Sequence, residues 1–152
     1  MKSRSSPPSV EGSEAMIEIW TQPLSLDAAI AKVSAPHVGA ISTFSGIVRN
    51  HNLGKSVRYL EYECYAAMAE KEMARIREQA LQQWALHDIA IIHRVGRLEI
   101  GESAVVIAVA SAHREDGLVA LKYTIDTLKA TVPIWKKEYW ADGSMWLENC
   151  CG

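Results

Sequence analysis

Ser103 to Ala112 reads SAVVIAVASA, ten residues with almost no polar surface. A run this short and this apolar is a central strand buried on both faces. It forces a sheet with cover on each side. The next stretch changes period. Leu118, Leu121, Ile125, Leu128 and Val132 are separated by three, four, three and four residues, which is one face of an amphipathic helix. His113 and Arg114 stand where this helix begins. Pro133 ends it, because proline lacks the amide hydrogen and disfavours helical geometry in the residue before it. Ile134 to Trp140 then reads as an extended segment.

The remaining chain supplies more strands and two more helices. Ile17 to Trp20 is a short strand, and Ser25 is placed to cap a helix from Leu26 to about Val33. Gly39 to Val48 is strand-like, with Gly46 marking a bulge or a close approach. Arg49 to Lys55 is a polar loop with turn chemistry at Asn52 and Gly54. A strand follows from Val57 to Tyr65, placing Val57, Tyr59, Glu61 and Glu63 on one side and Leu60, Tyr62 and Cys64 on the other. Ala66 to Trp84 is a helix with Met73, Ile76, Ala80 and Trp84 on its apolar face. His87 to Val95 is a strand, and Gly96 and Gly101 bracket a turn. Asp142-Gly143 signals a hairpin between Trp140 and Met145-Trp146. The order β, α, β, β, α, β, β, α, β, β implies an α+β sandwich of helices on a mixed or antiparallel sheet.

The 152 residues point to one domain, from Met16 to Gly152, after a Ser-, Pro- and Gly-rich extension over residues 1–15 expected to be disordered. Net charge is −2, so the molecule is no bulk polyanion binder and any basic site must be local. No basic run with interleaved aromatics points to nucleic acid. No apolar run is long enough for a membrane span. The three cysteines are Cys64, Cys150 and Cys151. That odd count, without a CxxC pair, argues for a reducing, cytoplasmic setting and against a disulfide scaffold or a metal site.

Cationic groups converge on the third helix. His113 and Arg114 lie at its N-terminus, where free N–H groups and the helix dipole attract anions. Arginine adds a planar fork for phosphate, and histidine donates a proton near neutral pH. Glu115 and Asp116 read as stabilisers of the first turn. Lys129 shares a second helix face with Lys122 and Asp126. A lysine crowded by other cations gives up its proton more easily, which suits it to act as base or nucleophile. Lys136 is expected to return to the same pocket. Lys137, next in an extended segment, alternates to the other face. Arg49 reads first as a loop arginine. His93-Arg94 reads as structural. The pattern describes a pocket for a small phosphorylated molecule, either a catalytic site or a non-catalytic phosphate- or nucleotide-binding module.

FSGIVRNHNLG, LEYECY, IHRVGRLEIGE, SAHRED and DTLKATVPIWKKE, in this order and spacing, resemble the catalytic large subunit of molybdopterin synthase from about Ile17 to Glu148. The resemblance implies an α/β-hammerhead-like fold. It implies a sulfurtransferase that inserts two dithiolene sulfurs into cyclic pyranopterin monophosphate (precursor Z), forming molybdopterin for molybdenum cofactor biosynthesis. The sulfur would arrive as a thiocarboxylate on the C-terminal Gly-Gly of a small ubiquitin-like subunit. Two large subunits would form a central dimer, each binding one small subunit, in a heterotetramer. No cofactor or metal is implied, molybdenum included. By position, Ile47, Val48 and Arg49 would line the substrate pocket, and His113 and Arg114 would hold the anionic substrate. Lys129 and Lys136 would be catalytic, with Lys137 and Glu138 completing the wall. Position 47 holds Ile where many relatives carry a lysine, so a backbone contact is expected there.

Overall fold

The computed structural model describes residues 15–141 and 143–148. The ends of the chain, with Cys150, Cys151 and nearly all of the segment expected to be disordered, lie outside the described residues, as does Asp142. The elements run β1 (Ile17–Trp20), α1 (Leu26–Val33), β2 (Ala40–Ile47), β3 (His51–Asn52), β4 (Lys55–Cys64), α2 (Ala66–Gln83), β5 (Leu86–Arg94), β6 (Gly96–Glu99), β7 (Ser103–Ser111), α3 (Arg114–Thr131), β8 (Ile134–Trp140) and β9 (Gly143–Glu148).

The apolar run becomes β7, an interior strand of the sheet ordered β1-β5-β7-β2. β1 is parallel to β5, and the other pairings are antiparallel. Both faces of β7 are covered, as its composition requires. Val106, Ala108 and Ala110 pack with Ala28, Ala29 and Val33 of α1. Val105, Ile107 and Val109 face a larger core formed with Met73 and Ile76 of α2, Leu128 of α3, and Leu60 and Tyr62 of β4. α1 starts as expected, with Ser25 Oγ accepting from the Ala28 amide at 3.1 Å. His93 and Arg94 are buried at the end of β5, and Arg94 Nη1 lies 3.1 Å from Glu102 Oε1.

A second sheet is ordered β3-β4-β8-β9, with β6 also paired to β4. The segment between Gly96 and Gly101, expected as a turn, therefore contributes a strand. Its Leu98 is fully buried, and Leu98 pairs with Leu60 of β4. β4 departs from simple alternation at its start. A register shift between Val57 and Tyr59 turns Val57 inward beside Leu60 and Tyr62 instead of outward with Tyr59, as a bulge does.

α3 ends at Thr131, with Val132 as its extended C-cap before Pro133, as expected, but its buried stripe differs from the apolar period. Gly117, Ala120, Thr124, Ile125 and Leu128 are buried, while Leu118 is 54% exposed. The cause is a close approach. A Cβ on Gly117 would lie 2.8 Å from Ser111 Oγ and 3.1 Å from Ser42 Oγ. The helix thus turns its smallest side chains to the sheet in its first turns.

Candidate active site

A cleft opens where β2 ends. A register shift between Gly46 and Ile47 leaves Ala104 of β7 as an extra residue there, and Gly46 lets the Val105 and Phe44 side chains approach closely. A Cβ at Gly46 would meet Val105 Cγ1 at 3.0 Å and the Phe44 ring at 3.4 Å. Val48 is then pinned from both sides. Its amide donates to the Glu102 carbonyl at 2.9 Å, and its carbonyl accepts from the Gly101 amide at 2.8 Å. Arg49 follows directly and is exposed at the rim. The β3–β4 hairpin forms one wall, closed by the Val57 amide donating to the Asn50 carbonyl at 2.9 Å. Phe44, Val57, Leu60, Tyr62 and Val105 give an apolar floor, and Arg49, His51, Asn52, Lys136 and Glu138 supply the polar groups.

Period-two alternation decides which β8 residues face inward. Lys136 is opposite Tyr62 and Glu138 opposite Leu60. The Lys136 and Glu138 side chains are only 12% and 2% exposed, with Nζ 3.7 Å from Oε2. Glu138 also accepts from Asn52 Nδ2 at 2.7 Å and from Trp140 Nε1 at 3.0 Å. A carboxylate buried this deeply needs such partners. The result is a fixed ammonium above an apolar floor with a guanidinium at the rim, suited to a flat anionic molecule.

The residues singled out from sequence divide into four groups. Ile47, Val48, Arg49, Lys136 and Glu138 line this one cleft. Ile47 is 51% exposed. Lys137 faces away, over the rings of Tyr139 at 5.2 Å and Trp146 at 5.4 Å. The alternation that buries Lys136 excludes it from the cleft. His113 and Arg114 are exposed at a separate hollow shared with Gly39, Ala40 and Glu115. His113 caps α3 through its backbone only. Ala40 and Ile47 are opposite ends of β2, about 23 Å apart at ~3.3 Å per residue. One chain therefore does not bring His113 and Arg114 to the cleft holding Lys136.

Lys129 is half-buried in the last turn of α3 and is not part of the cleft lining. Gly117 lies over Ser42, and twelve residues of helix rise about 18 Å. Ser42 to Ile47 spans a similar length of strand, about 17 Å. Lys129 therefore stands toward the Ile47 end of β2, on the helix that packs against β2 and β7. Lys122 pairs with Asp126 at 2.6 Å on the exposed face.

Two cleft residues went unselected in the sequence, His51 and Asn52. The polar string Arg49-Asn50-His51-Asn52 beside a strand end is the local signal for them, but Asn52's partner, Glu138, is 86 residues away. Among the described residues, no three His, Cys, Asp or Glu side chains converge as a metal would require, and no helix is long and apolar enough to cross a membrane.

Known proteins give this arrangement a context. The sequence profile described as MoaE protein matches residues 19–131. The molybdopterin synthase catalytic subunit of Halalkalibacterium halodurans is 49% identical over 129 residues, 85% of this chain and 83% of that protein. The crystal structure of molybdopterin synthase from Staphylococcus aureus superposes with a TM-score of 0.84 at 40% identity, covering 88% of this chain and 97% of that one. The same fold occurs in a complex of subunits 1 and 2 of molybdopterin-converting factor from Helicobacter pylori, with a TM-score of 0.74, 22% identity, and 87% and 90% coverage. The chain belongs to the MoaE protein family, that of the molybdopterin synthase catalytic subunits.

Proposed function

We propose that this chain, as one domain from Met16 onward, is the catalytic subunit of a molybdopterin synthase. It inserts two sulfur atoms into cyclic pyranopterin monophosphate, taking each from the thiocarboxylated C-terminus of a small ubiquitin-like subunit. The observation that carries the reading is the cleft itself. In a chain 49% identical to a named catalytic subunit, the buried, ion-paired Lys136 stands over an apolar floor with Arg49 at the rim.

The chemistry needs a sulfur nucleophile delivered to an electrophilic carbon of the pterin side chain while oxygen leaves. A fixed cation stabilises charge as it develops, and a positioned acid-base group moves the proton. Lys136 is held for the first role. Lys129, in the last turn of α3, serves the second. Arg49 holds anionic oxygen at the rim. A glycine tail lacks side chains and is thin enough to reach such a narrow cleft.

His113 and Arg114 enter through assembly. They are about a strand length from their own chain's cleft, so they serve the cleft of a second copy in a large-subunit dimer. A two-fold axis places the same patch of each copy against the other. Each dimer then binds two small subunits.

The test is direct. The chain is mixed with a thiocarboxylated small subunit and the cyclic pterin, and dithiolene formation is assayed. Turnover should appear only with the thiocarboxylate present. Pterin binding without turnover under these conditions would overturn the catalytic reading.

A further inference from the structure

Glu138 is only 2% exposed, yet its nearest cation is not its closest partner. Lys136 Nζ stands 3.7 Å from Oε2, beyond a direct hydrogen bond. The direct bonds come from Trp140 Nε1 to Oε1 at 3.0 Å and from Asn52 Nδ2 to Oε2 at 2.7 Å. Asn52 therefore binds the same oxygen that faces the lysine. It fixes the carboxylate's orientation and so the direction of the field holding Lys136.

Asn52 reaches this point from a strained support. It pairs with Lys55 across the β3–β4 hairpin, and the two turn residues, Leu53 and Gly54, have φ of 52° and 78°. Such a tight turn needs positive φ at both positions, which is rare for leucine. A strained turn persists where its surroundings hold it. Here both members of the cross-strand pair reach β8. Asn52 binds Glu138, and Lys55 Nζ sits 5.0 Å over the Trp140 ring. Trp140 in turn donates to Glu138. Leu53 itself is 83% exposed and contributes no packing that would hold the turn.

We propose that Asn52 is a positioning residue. It clamps Glu138 from the hairpin, and thereby fixes both the Lys136 ammonium and the hairpin wall of the cleft. This rests on the reading of the cleft as the reaction site.

Hydrogen exchange on the isolated chain tests the clamp without any assay. The Val57 amide, bonded to Asn50, reports hairpin opening. Asn52→Ala should speed its exchange about tenfold or more, the worth of one hydrogen bond to a charged group, and leave β5 and β7 amides unchanged. Asn52→Asp should do the same by setting two carboxylates together. Adding Glu138→Gln to Asn52→Asp restores an amide facing a carboxylate and should restore protection. In the full complex, Asn52→Ala should lower kcat about tenfold or more with pterin KM changed by less than about threefold, because the ammonium is misplaced at the reacting centre. Unchanged exchange in Asn52→Ala would overturn the clamp. Faster exchange with wild-type kcat would overturn the positioning role and leave a structural latch. An inactive wild-type complex would count against the proposed function, and the exchange data would still decide the clamp.

Discussion

His93 is fully buried at the end of β5, and its Nδ1–H donates to the Arg94 carbonyl at 2.8 Å. Burial holds its pKa at about 4, below the ordinary 6.5. The folded chain therefore keeps His93 neutral where the unfolded chain takes up a proton. Its contribution to stability is complete above about pH 6.5 and is lost as pH falls through about 4. The full loss is about 3 kcal/mol at ~1.4 kcal/mol per pH unit. Urea denaturation between pH 7 and pH 4 should show this slope, and His93→Gln should flatten it. Lys136→Ala acts at the cleft. It strips the ammonium that faces Glu138, and dithiolene formation should fall at least a hundredfold, as it does when a charge-stabilising group is removed elsewhere. Circular dichroism should stay that of a folded chain, and near-wild-type turnover would remove Lys136 from the chemistry. The opposite directions of Lys136 and Lys137 were legible beforehand because strand alternation is local. The Asn52–Glu138 bond was not, since nothing near either residue names the other.

α3 is placed by its smallest residue. Ser111 Oγ donates to the His113 carbonyl at 2.6 Å, fixing the turn from which the helix starts, and Gly117 sits directly on that hydroxyl. Gly117→Ala should gain about 1 kcal/mol in helix propensity. Overpacking against Ser111 and Ser42 should cost more, about 1–3 kcal/mol. The expected sum is a lower urea midpoint with an unchanged slope. A raised midpoint would mean that α3 has room to lift. The same contact explains why the helix's extent was readable and its orientation was not. Apolar period marks Leu118 as inward, but close approach to the hydroxyls of β2 and β7 turns Gly117 and Ala120 inward and leaves Leu118 and Val119 exposed. β6 was hidden for a related reason. Arg97 to Ile100 alternate as a strand does, but four residues between two glycines are too short to separate strand from turn, and their pairing depends on β4 being alongside. β7, by contrast, announced both its strand and its burial through composition alone.

The separation of the cations along β2 is what motivates the proposed dimer. Arg49 and Lys136 lie at the Ile47 end, and His113 and Arg114 lie beyond the Ala40 end. The sequence could group these residues by charge and by resemblance, but not reveal that a strand keeps the groups apart within a chain. If each cleft borrows Arg114 from the other copy, two differently damaged chains should repair one another. Arg114→Ala should weaken pterin binding about ten- to a hundredfold, the cost of losing a charge-assisted bond. Lys136→Ala should be inactive. In a mixed dimer, the Arg114→Ala chain supplies an intact Lys136 cleft and the Lys136→Ala chain supplies the intact Arg114. One of the two sites is then whole, and the other carries both lesions. Random exchange of subunits makes about half the dimers mixed, so activity should recover to about a quarter of wild type at limiting pterin. The measurement is dithiolene formation after refolding the two variants together, against each refolded alone. Recovery no greater than the average of the separate activities would place Arg114 outside the partner's cleft, and the dimer would then have no part in holding the substrate.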